Sequence, residues 1–341
     1  MIISRSPYRI TFGGGGTDRP DFYERHGGFV ISMALDKYIY VTLKPDCLES
    51  QIKVRYLKTE IVDSLEDLQH ERAREALRAH GLESSLEISS CGDAPGNTGL
   101  GSSGSYLVAL LNGIRHYKKR ACSPGIIAEE ACNIEINTLG YPVGKQDQYI
   151  AAFGGIKALD INTEGQVQVH EVKIEQSALL SLINNIHIYF LKKKRNACNI
   201  LSQQDCSKNG NEERLLQVKD WGYKTLEILE KNNFDEYGLM LNKYWELKKQ
   251  FSKDMSFSFA DEIYNDLRQR FGILGGKIIG AGGGGFLMVY ANKKHQEIES
   301  FMKERGIIRL NYLPDYHGST ILGDFTSTNQ RPLYHEANQK T

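Results

Sequence analysis

The first half of the chain alternates apolar and polar residues in the manner of β-strands. The alternation covers the N-terminal "MIISRSPYRITF", "YIYVTL" (38–43), "QIKVRYL" (51–57) and "SLEISSC" (85–91). Between the last two, "SLEDLQHERAREALRAHG" predicts a helix that Ser64 caps and Gly81 stops. The same patterns predict helices from about Ser102 to Lys119 and over 124–138, and strands near 155–161 and 166–174.

The second half shows mainly helical spacing. After a strand "IHIYFL" (186–191), apolar residues recur three and four apart in "NEERLLQVKDWGYKTLEILEK", "FDEYGLMLNKYWELKKQ" and "FADEIYNDLRQRFG". Two late strands, "GKIIG" and "FLMVYA", flank "AGGGG". This order predicts an α+β fold of two domains, residues 1–180 and 181–341, with a boundary near 175–185 and a ligand cleft between them.

Composition and charge narrow the classes of partner. The 341 residues contain 42 Lys and Arg against 42 Asp and Glu, which gives no basic field for nucleic acid or an anionic membrane. The six cysteines are dispersed without a C-x-x-C pair, which predicts reduced thiols and a cytoplasmic location. No apolar run has the length of a membrane span, and the N-terminus lacks the apolar region of a signal peptide.

Three glycine clusters point to a ligand. They are "FGGGGTD" (12–18), "CGDAPGNTGLGSSGSYLVALLNGI" (91–114) and "GAGGGGFLMVY" (280–290). Consecutive glycines lose much backbone entropy on ordering, so a closely bound ligand explains three clusters better than ordinary loops do. The second cluster leads directly into a helix, and a helix start with bare backbone favours bound phosphate. The G-x-x-x-x-G-K-[ST] phosphate loop and the dinucleotide pattern are both absent.

A fourth segment, "EINTLGYPVGKQDQYIAAFGG" (135–155), carries charged residues suited to phosphoryl transfer. Glu135 is predicted on a helix, and Asp147 is predicted beyond a Gly-Tyr-Pro turn, beside Lys145. A kinase needs a carboxylate for the attacking hydroxyl, Mg²⁺ for the phosphates and a cation near the transferred group. The alternative interpretation is a solvated acidic helix followed by a surface loop.

Together the four segments resemble the GHMP kinases, a family of small-molecule kinases. The motifs "SPYRITFGGGGTD", "APGNTGLGSSGSY" and "GAGGGGFLMV" occur in the family's order along nearly the whole chain. "DKYIYV" and "VGKQDQYIAAFGG" resemble the bacterial heptose kinases more than galactokinase or mevalonate kinase, although fucokinase-like domains share parts of the pattern. The resemblance implies an N-terminal domain like a ribosomal-protein α/β module, a ferredoxin-like C-terminal domain and an active site in the cleft between them.

The resemblance implies a role for individual residues. ATP phosphates would lie on Pro95, Gly96, Gly99, Leu100, Gly101, Ser102, Ser103 and Gly104. Mg²⁺ would be held by Ser103 and Glu135, and the catalytic residues would be Asp147, Lys145 and Arg9. The substrate would contact Gly15, Gly16, Thr17, Asp18, Lys193, Arg195, Gly282, Gly283 and Gly284.

One segment departs from the family pattern and leaves the substrate open. "FLKKKRNACNIL" (190–201) has Arg195 at a family arginine, but lysines replace the small residues before it. The run predicts a clamp for a substrate phosphate by Lys193 and Arg195, with Arg19 as the next candidate; a solvated strand end is the alternative.

The predicted function is an ATP- and Mg²⁺-dependent kinase for the anomeric hydroxyl of D-glycero-D-manno-heptose 7-phosphate, for nucleotide-activated heptose synthesis. The alternatives are a 1-kinase for an unphosphorylated hexose or deoxyhexose, and a non-catalytic sugar- or nucleotide-binding regulator on the same fold. Small molecules are the expected partners, with neither nucleic acid nor membrane, and a homodimer is left open.

Overall fold

The larger of two sheets is built mainly from the first half of the chain. The computed structural model describes residues 1–46, 48–192, 206, 210–252 and 255–326. The strands are β1 (Ile2–Gly13), β2 (Gly28–Pro45), β3 (Ile52–Arg55), β4 (Thr59–Val62), β5 (Leu86–Gly92), β6 (Ile156–Ile161) and β7 (Val167–Glu171), joined by β12 (Thr320–Asp324) from the C-terminal end. Their order is β12-β1-β2-β5-β3-β4, with β6 on β2 and β7 on β6.

The sheet forks along β2, because this 18-residue strand serves two neighbours in succession. Residues 28–33 pair with β6, and residues 39–45 pair with β5, both antiparallel. On its other edge β2 pairs with β1, whose register shifts between Pro7 and Arg9. Such irregularities re-aim side chains next to functional sites.

Six helices accompany this sheet. They are α1 (Pro20–His26), α2 (Glu71–Ala79), α3 (Ser102–Tyr117), α4 (Pro124–Cys132), α5 (Gln146–Phe153) and α6 (Gln176–Asn185). The predicted helices near 102–119 and 124–138 are confirmed, the second ending in a π-helical turn over Asn133–Thr138.

Two local predictions were wrong. Ser64 caps only a short 3₁₀ turn, Leu65–Asp67, and α2 begins later, where the His70 ring nitrogen Nδ1 accepts the backbone N–H of Ala73. The alternative of a surface loop after the acidic helix was wrong as well, because Asp147 lies in the first turn of α5. With only eight residues, α5 is too short for apolar periodicity to reveal it.

The second sheet lies in the C-terminal half. It contains β8 (Ile186–Phe190), β9 (Gly275–Ile278), β10 (Phe286–Tyr290) and β11 (Ile308–Arg309), with helices α7 (Asn211–Glu230), α8 (Phe234–Lys248), α9 (Ser258–Asp266) and α10 (His295–Glu304). The strand order β11-β8-β10-β9 and the alternation of strands and helices are those of a ferredoxin-like unit. The predicted α+β fold is confirmed.

One hydrophobic cluster takes residues from both sheets. Tyr8 and Ile10 of β1 pack in it with Ile186 and Ile188 of β8 and Met288 of β10. The two sheets therefore bury a common core, and the predicted domain boundary near 175–185, where α6 lies, stays a prediction. In the ranges that the structure describes, no helix combines the length and apolar character of a membrane span.

Candidate active site

The second glycine cluster forms a loop that delivers bare backbone to the start of α3. Gly101 is in the left-handed region, with φ 78° and ψ 23°, and no side chain caps the helix. An added Cβ on Gly101 would lie 3.2 Å from the Asp147 carboxylate, so a glycine is required both by the backbone angle and by space. The free N–H groups and the positive helix end make this a site for phosphate.

Arg9 joins this loop to the start of α5. Its guanidinium donates through Nε to Asp147 Oδ1 at 2.8 Å and through Nη1 to the Gly99 carbonyl at 2.5 Å. Arg9 is only 4% exposed, so its charge lies inside the protein beside this loop. The second oxygen, Asp147 Oδ2, accepts no hydrogen bond within the described residues. Asp147 lines a cavity together with Arg9 and the loop before α3.

The start of α5 is fixed from three directions. Asp18 Oδ2 accepts the Gln146 backbone N–H at 3.0 Å, while Oδ1 accepts that of Gly16 at 3.1 Å. Thr11 and Ser32 each donate a hydroxyl to the Gln146 side chain. Burial raises the pKa of Asp18, and the nearby Asp147 charge adds to the effect. Asp18 therefore ties the first glycine cluster to the helix that carries Asp147.

These residues surround what we call the central cavity. Its described lining includes Arg9, Gly15, Gly16, Asp18, Arg19, Gly99, Gly101, Ser102, Ser103, Gln146, Asp147, Tyr244, Lys248, Lys277, Gly280 and Ala281. All three glycine clusters and the acidic segment thus converge, although they are far apart in sequence.

Lys145 does not lie against Asp147, and this expectation was wrong. Its ammonium donates to both oxygens of Glu129, at 2.9 and 3.0 Å, and to the Gly165 carbonyl at 2.6 Å. Lys145 lines a separate cavity beside α4. The reason is helical geometry, since side chains two residues apart at a helix start are rotated by about 200°.

Lys145→Met is therefore expected to keep kcat and kcat/KM within about threefold of wild type. The variant removes an ion pair that faces away from the central cavity, and Glu129 is exposed enough to be solvated. Steady-state kinetics check this, with Lys224→Met on the exposed face of α7 as the control. A hundredfold loss of kcat would show that Lys145 takes part in catalysis.

Glu135, expected to hold Mg²⁺, is buried and paired. It is 1% exposed; Arg72 Nε donates to its Oε1 at 2.6 Å and Gln148 Nε2 to its Oε2 at 2.5 Å. Each carboxylate oxygen of Glu135 already accepts one hydrogen bond, and the described residues contain no group of three or more His, Cys, Asp or Glu suited to a metal. Magnesium binding by Glu135 stays a prediction, in which the metal would share the carboxylate with Arg72 and Gln148.

We expect Glu135→Gln to lower the free energy of unfolding by about 1–3 kcal/mol, since a buried charge-assisted hydrogen bond is lost. Denaturant unfolding at an unchanged slope measures this, with the exposed Glu213→Gln as the matched control. Equal stability of the two variants would mean that the Arg72 ion pair contributes nothing and that Glu135 is held for another role.

An aromatic groove opens next to the central cavity and shares Asn97, Ser102 and Ser103 with it. The His70 ring lies 4.7 Å from Tyr56 and 4.9 Å from Tyr106, measured between centroids. The groove has a volume of about 730 Å³, and Pro95 and Gly96 lie on its wall. The Tyr106 hydroxyl is buried without a hydrogen-bond partner among the described residues, so a ligand atom would complete it.

Several residues of the glycine clusters pack closely against other parts of the protein. The Thr17 hydroxyl is fully buried between the Gly14 and Phe29 backbones, and Leu100 is a core residue. Gly104 lets α3 approach α5, because a Cβ there would lie 2.8 Å from the Asp147 Cβ. The expectation that Thr17 contacts the substrate is corrected, because its hydroxyl is bonded within the protein. ATP contacts by the backbone N–H groups of Leu100 and Gly104 stay a prediction.

The third glycine cluster lines the central cavity with residues that precede the expected ones in the sequence. Gly280 and Ala281 line the cavity, whereas Gly282 packs on Met255 and Gly283 donates its N–H to the Met255 carbonyl at 2.7 Å. A Cβ on Gly285 would lie 1.9 Å from the Thr98 carbonyl oxygen, so the backbone of this cluster packs directly against the loop that leads into α3. The expected substrate contact by Gly282 and Gly283 is thus corrected; Gly284, with φ 150°, stays a prediction.

Some predicted site residues lie outside the described part of the chain, and some residues that line the site were not predicted. Lys193 and Arg195 lie outside the described residues. Sequence reasoning missed Gln146, Tyr244, Lys248 and Lys277. Gln146 and Lys277 stand within quoted motifs, "VGKQDQY" and "GKIIG", but no periodicity marks Tyr244 or Lys248, which lie on an otherwise ordinary amphipathic helix.

Comparisons with known proteins agree with this geometry. Residues 69–155 match the family model of the GHMP kinases N-terminal domain. The D-glycero-alpha-D-manno-heptose 7-phosphate kinase of Campylobacter jejuni is 27% identical, over 90% of this chain and 95% of that protein. The L-fucokinase/L-fucose-1-P guanylyltransferase of Bacteroides fragilis is 25% identical, over 85% of this chain but only 34% of that protein.

A solved structure shares the fold. The D-glycero-D-manno-heptose 1-phosphate kinase of Bacteroides thetaiotaomicron superposes with a TM-score of 0.78, covering 96% of this chain and all of that one at 22% identity. The family match, the full-length curated relative and the shared fold coincide with three converging glycine clusters. The chain is similar to the GHMP kinases N-terminal domain over residues 69–155 and to a heptose 7-phosphate kinase over 90% of its length.

Proposed function

We propose that this protein is an ATP-dependent kinase for the anomeric hydroxyl of a sugar phosphate, D-glycero-D-manno-heptose 7-phosphate, which it converts to the 1,7-bisphosphate. The observation that carries the proposal is the Arg9–Asp147 pair, held in one cavity with the uncapped start of α3. An acceptor for a hydroxyl proton and a cradle for phosphates therefore meet at one point.

The reaction follows from this arrangement. The sugar oxygen attacks the γ-phosphorus, the bond to the leaving ADP oxygen breaks, and the hydroxyl proton passes to Asp147 Oδ2. In a loose phosphoryl-transfer transition state the proton leaves late, so orientation by Asp147 matters as much as basicity. Arg9 fixes the Asp147 carboxylate through Oδ1 and adds positive charge beside the phosphate loop.

The nucleotide would lie across the groove and the cavity. The base fits the aromatic groove at Tyr56, His70 and Tyr106, and the phosphates fit the backbone N–H groups of Ser102 and Ser103. Burial lowers the pKa of His70, so the ring is neutral at physiological pH and suits an uncharged base. When bound, Mg²⁺ would neutralise phosphate charge, and Ser103, which lines the cavity, and Glu135 are the residues expected to hold it.

The choice of heptose 7-phosphate is supported by the Campylobacter jejuni relative, whose similarity extends over almost its whole length. The second candidate is a 1-kinase for an unphosphorylated deoxyhexose, supported by the similarity to about a third of a larger protein, the L-fucokinase/L-fucose-1-P guanylyltransferase of Bacteroides fragilis, of which 34% is covered. The four described cysteines are free thiols, in keeping with the predicted cytoplasmic location.

A substrate panel tests the proposal. ATP consumption would be measured with heptose 7-phosphate, the same heptose without phosphate, L-fucose and D-galactose, and the phosphorylated carbon identified by NMR. We expect the highest kcat/KM for heptose 7-phosphate and a product phosphorylated at C1. Preference for L-fucose would establish the second candidate, and nucleotide binding without turnover of any sugar would indicate a non-catalytic regulator.

A further inference from the structure

Two lysines missed by sequence reasoning face the central cavity from the C-terminal half. Lys277 lies on β9 and Lys248 ends α8, and both line the cavity that contains Asp147. Lys277 is 2% exposed and Lys248 is 8% exposed. Lysine is rarely buried to this extent without a function or a compensating charge.

The surroundings of Lys277 are cationic. Arg9 is paired with Asp147 and Arg19 with Asp21, so these carboxylates are engaged elsewhere. The Lys277 ammonium instead lies 4.8 Å from the centroid of the Tyr244 ring, a cation–π contact. Burial, with Lys248 and Arg9 nearby, lowers the pKa of Lys277 well below its ordinary value. Within the described residues, no carboxylate compensates this ammonium.

Tyr244 places the two lysines on the sugar side of the cavity. Its ring centroid lies 4.8 Å from the Lys277 ammonium and 5.9 Å from the Lys248 ammonium, and its hydroxyl donates to the Gly15 carbonyl at 3.2 Å. Gly15 belongs to the first glycine cluster, which Asp18 ties to α5. Lys248 also donates to the Gly280 carbonyl at 2.5 Å, so its position is fixed. Neither lysine lines the aromatic groove.

We propose that Lys277 and Lys248 form the subsite for the distal phosphate of the substrate. The proposal rests on the proposed function, and it names which residues make the enzyme prefer a sugar that already carries a phosphate. A phosphate dianion would supply the negative charge that the Lys277 ammonium lacks, and Asp147 would hold the hydroxyl at the other end of the sugar. A neutral sugar would leave the Lys277 ammonium without an anion among the described residues.

The test compares Lys277→Met and Lys248→Met with wild type and with Lys243→Met, an exposed lysine on the same helix. KM and kcat would be measured for heptose 7-phosphate, the unphosphorylated heptose and ATP. We expect KM for heptose 7-phosphate to rise about 10- to 100-fold, the scale of a lost charge-assisted hydrogen bond. KM for ATP should stay within about threefold, and the preference for the phosphorylated sugar should shrink by the same factor as KM rises.

Calorimetry adds a readout that does not depend on turnover. A phosphate beside Lys277 favours the charged ammonium, so binding of heptose 7-phosphate to the ADP complex should take up protons at the pH where Lys277 titrates, which a series of measurements from about pH 7 to 10 locates. Measuring the binding enthalpy in two buffers of different ionisation enthalpy reveals this uptake in wild type, and Lys277→Met should abolish it. Replacing a buried ammonium by an apolar group of similar shape should preserve folding. If it does not, Lys248→Met alone decides.

The outcomes separate the two proposals. If wild type prefers heptose 7-phosphate and both lysine variants keep that preference, the subsite is wrong and the proposed function stands. If KM for ATP rises instead, the lysines bind nucleotide phosphate and the subsite is wrong. If wild type phosphorylates only unphosphorylated sugars, both proposals fail.

Discussion

Asp147→Asn is expected to lower kcat by about a hundredfold or more while folding and ATP binding are preserved, the usual scale for a lost general base. The amide cannot take the hydroxyl proton through Oδ2, which faces the central cavity. It also loses the charge that pairs with Arg9 at 2.6 Å. The isosteric replacement keeps Gly101 and Gly104 packed against the side chain, so the fold should tolerate it.

Single-turnover and steady-state kinetics on the same preparation measure this effect, with the nucleotide affinity from ADP titration as the control for site integrity. A hundredfold loss corresponds to about 2.7 kcal/mol of transition-state stabilisation. Near-wild-type kcat in a folded Asp147→Asn variant would remove Asp147 from the mechanism and, with it, the observation on which the proposed function depends.

Arg9→Met is expected to lower kcat by about a hundredfold or more, because it removes both the partner that orients Asp147 and a cation beside the transferred phosphoryl group. Arg9→Lys should recover only part of the loss, because one ammonium cannot reach the Asp147 carboxylate and the Gly99 carbonyl with the geometry of a guanidinium.

The double variant with Asp147→Asn separates these two contributions. If Arg9 acts only by orienting Asp147, the double variant should be no slower than Asp147→Asn alone, whereas a direct effect on phosphate should add a further loss. Unfolding midpoints serve as controls, since Arg9 is buried. An Arg9→Met variant with normal kcat would reduce Arg9 to a structural residue.

The order of the elements was predictable because it depends on local patterns. Strand alternation in β1, β5 and β8 and helical spacing in α3, α7 and α8 follow from side-chain periodicity, and all six are present. The glycine run before α3 was likewise legible, since the left-handed backbone at Gly101 is a local requirement. The start of α2 was misplaced, because a histidine cap at His70 is not a common helix-start signal.

The residue pairings within the site were less predictable, because they depend on contacts between distant segments. Lys145 was expected beside Asp147 from sequence proximity. The partner of Asp147 is instead Arg9, which lies 138 residues away in the sequence. Thr17 and Leu100 belong to the quoted motifs but are used in packing. A motif identifies the segment that reaches a site, but the rotation of each side chain is set by the element that forms.

The sequence by itself determined the resemblance to a kinase family, the α+β class and the four segments that build the site, because glycine runs, helix starts and periodicity act within a few residues. Only the tertiary structure decided which charges meet. Residues two apart in a helix are rotated by about 200° around its axis, and this rotation points the Lys145 side chain away from that of Asp147. The ferredoxin-like sheet brought Lys277 from the other half of the chain into the cavity. Electrostatic partners depend on distances of a few ångströms, and packing across sheets and helices fixes those distances.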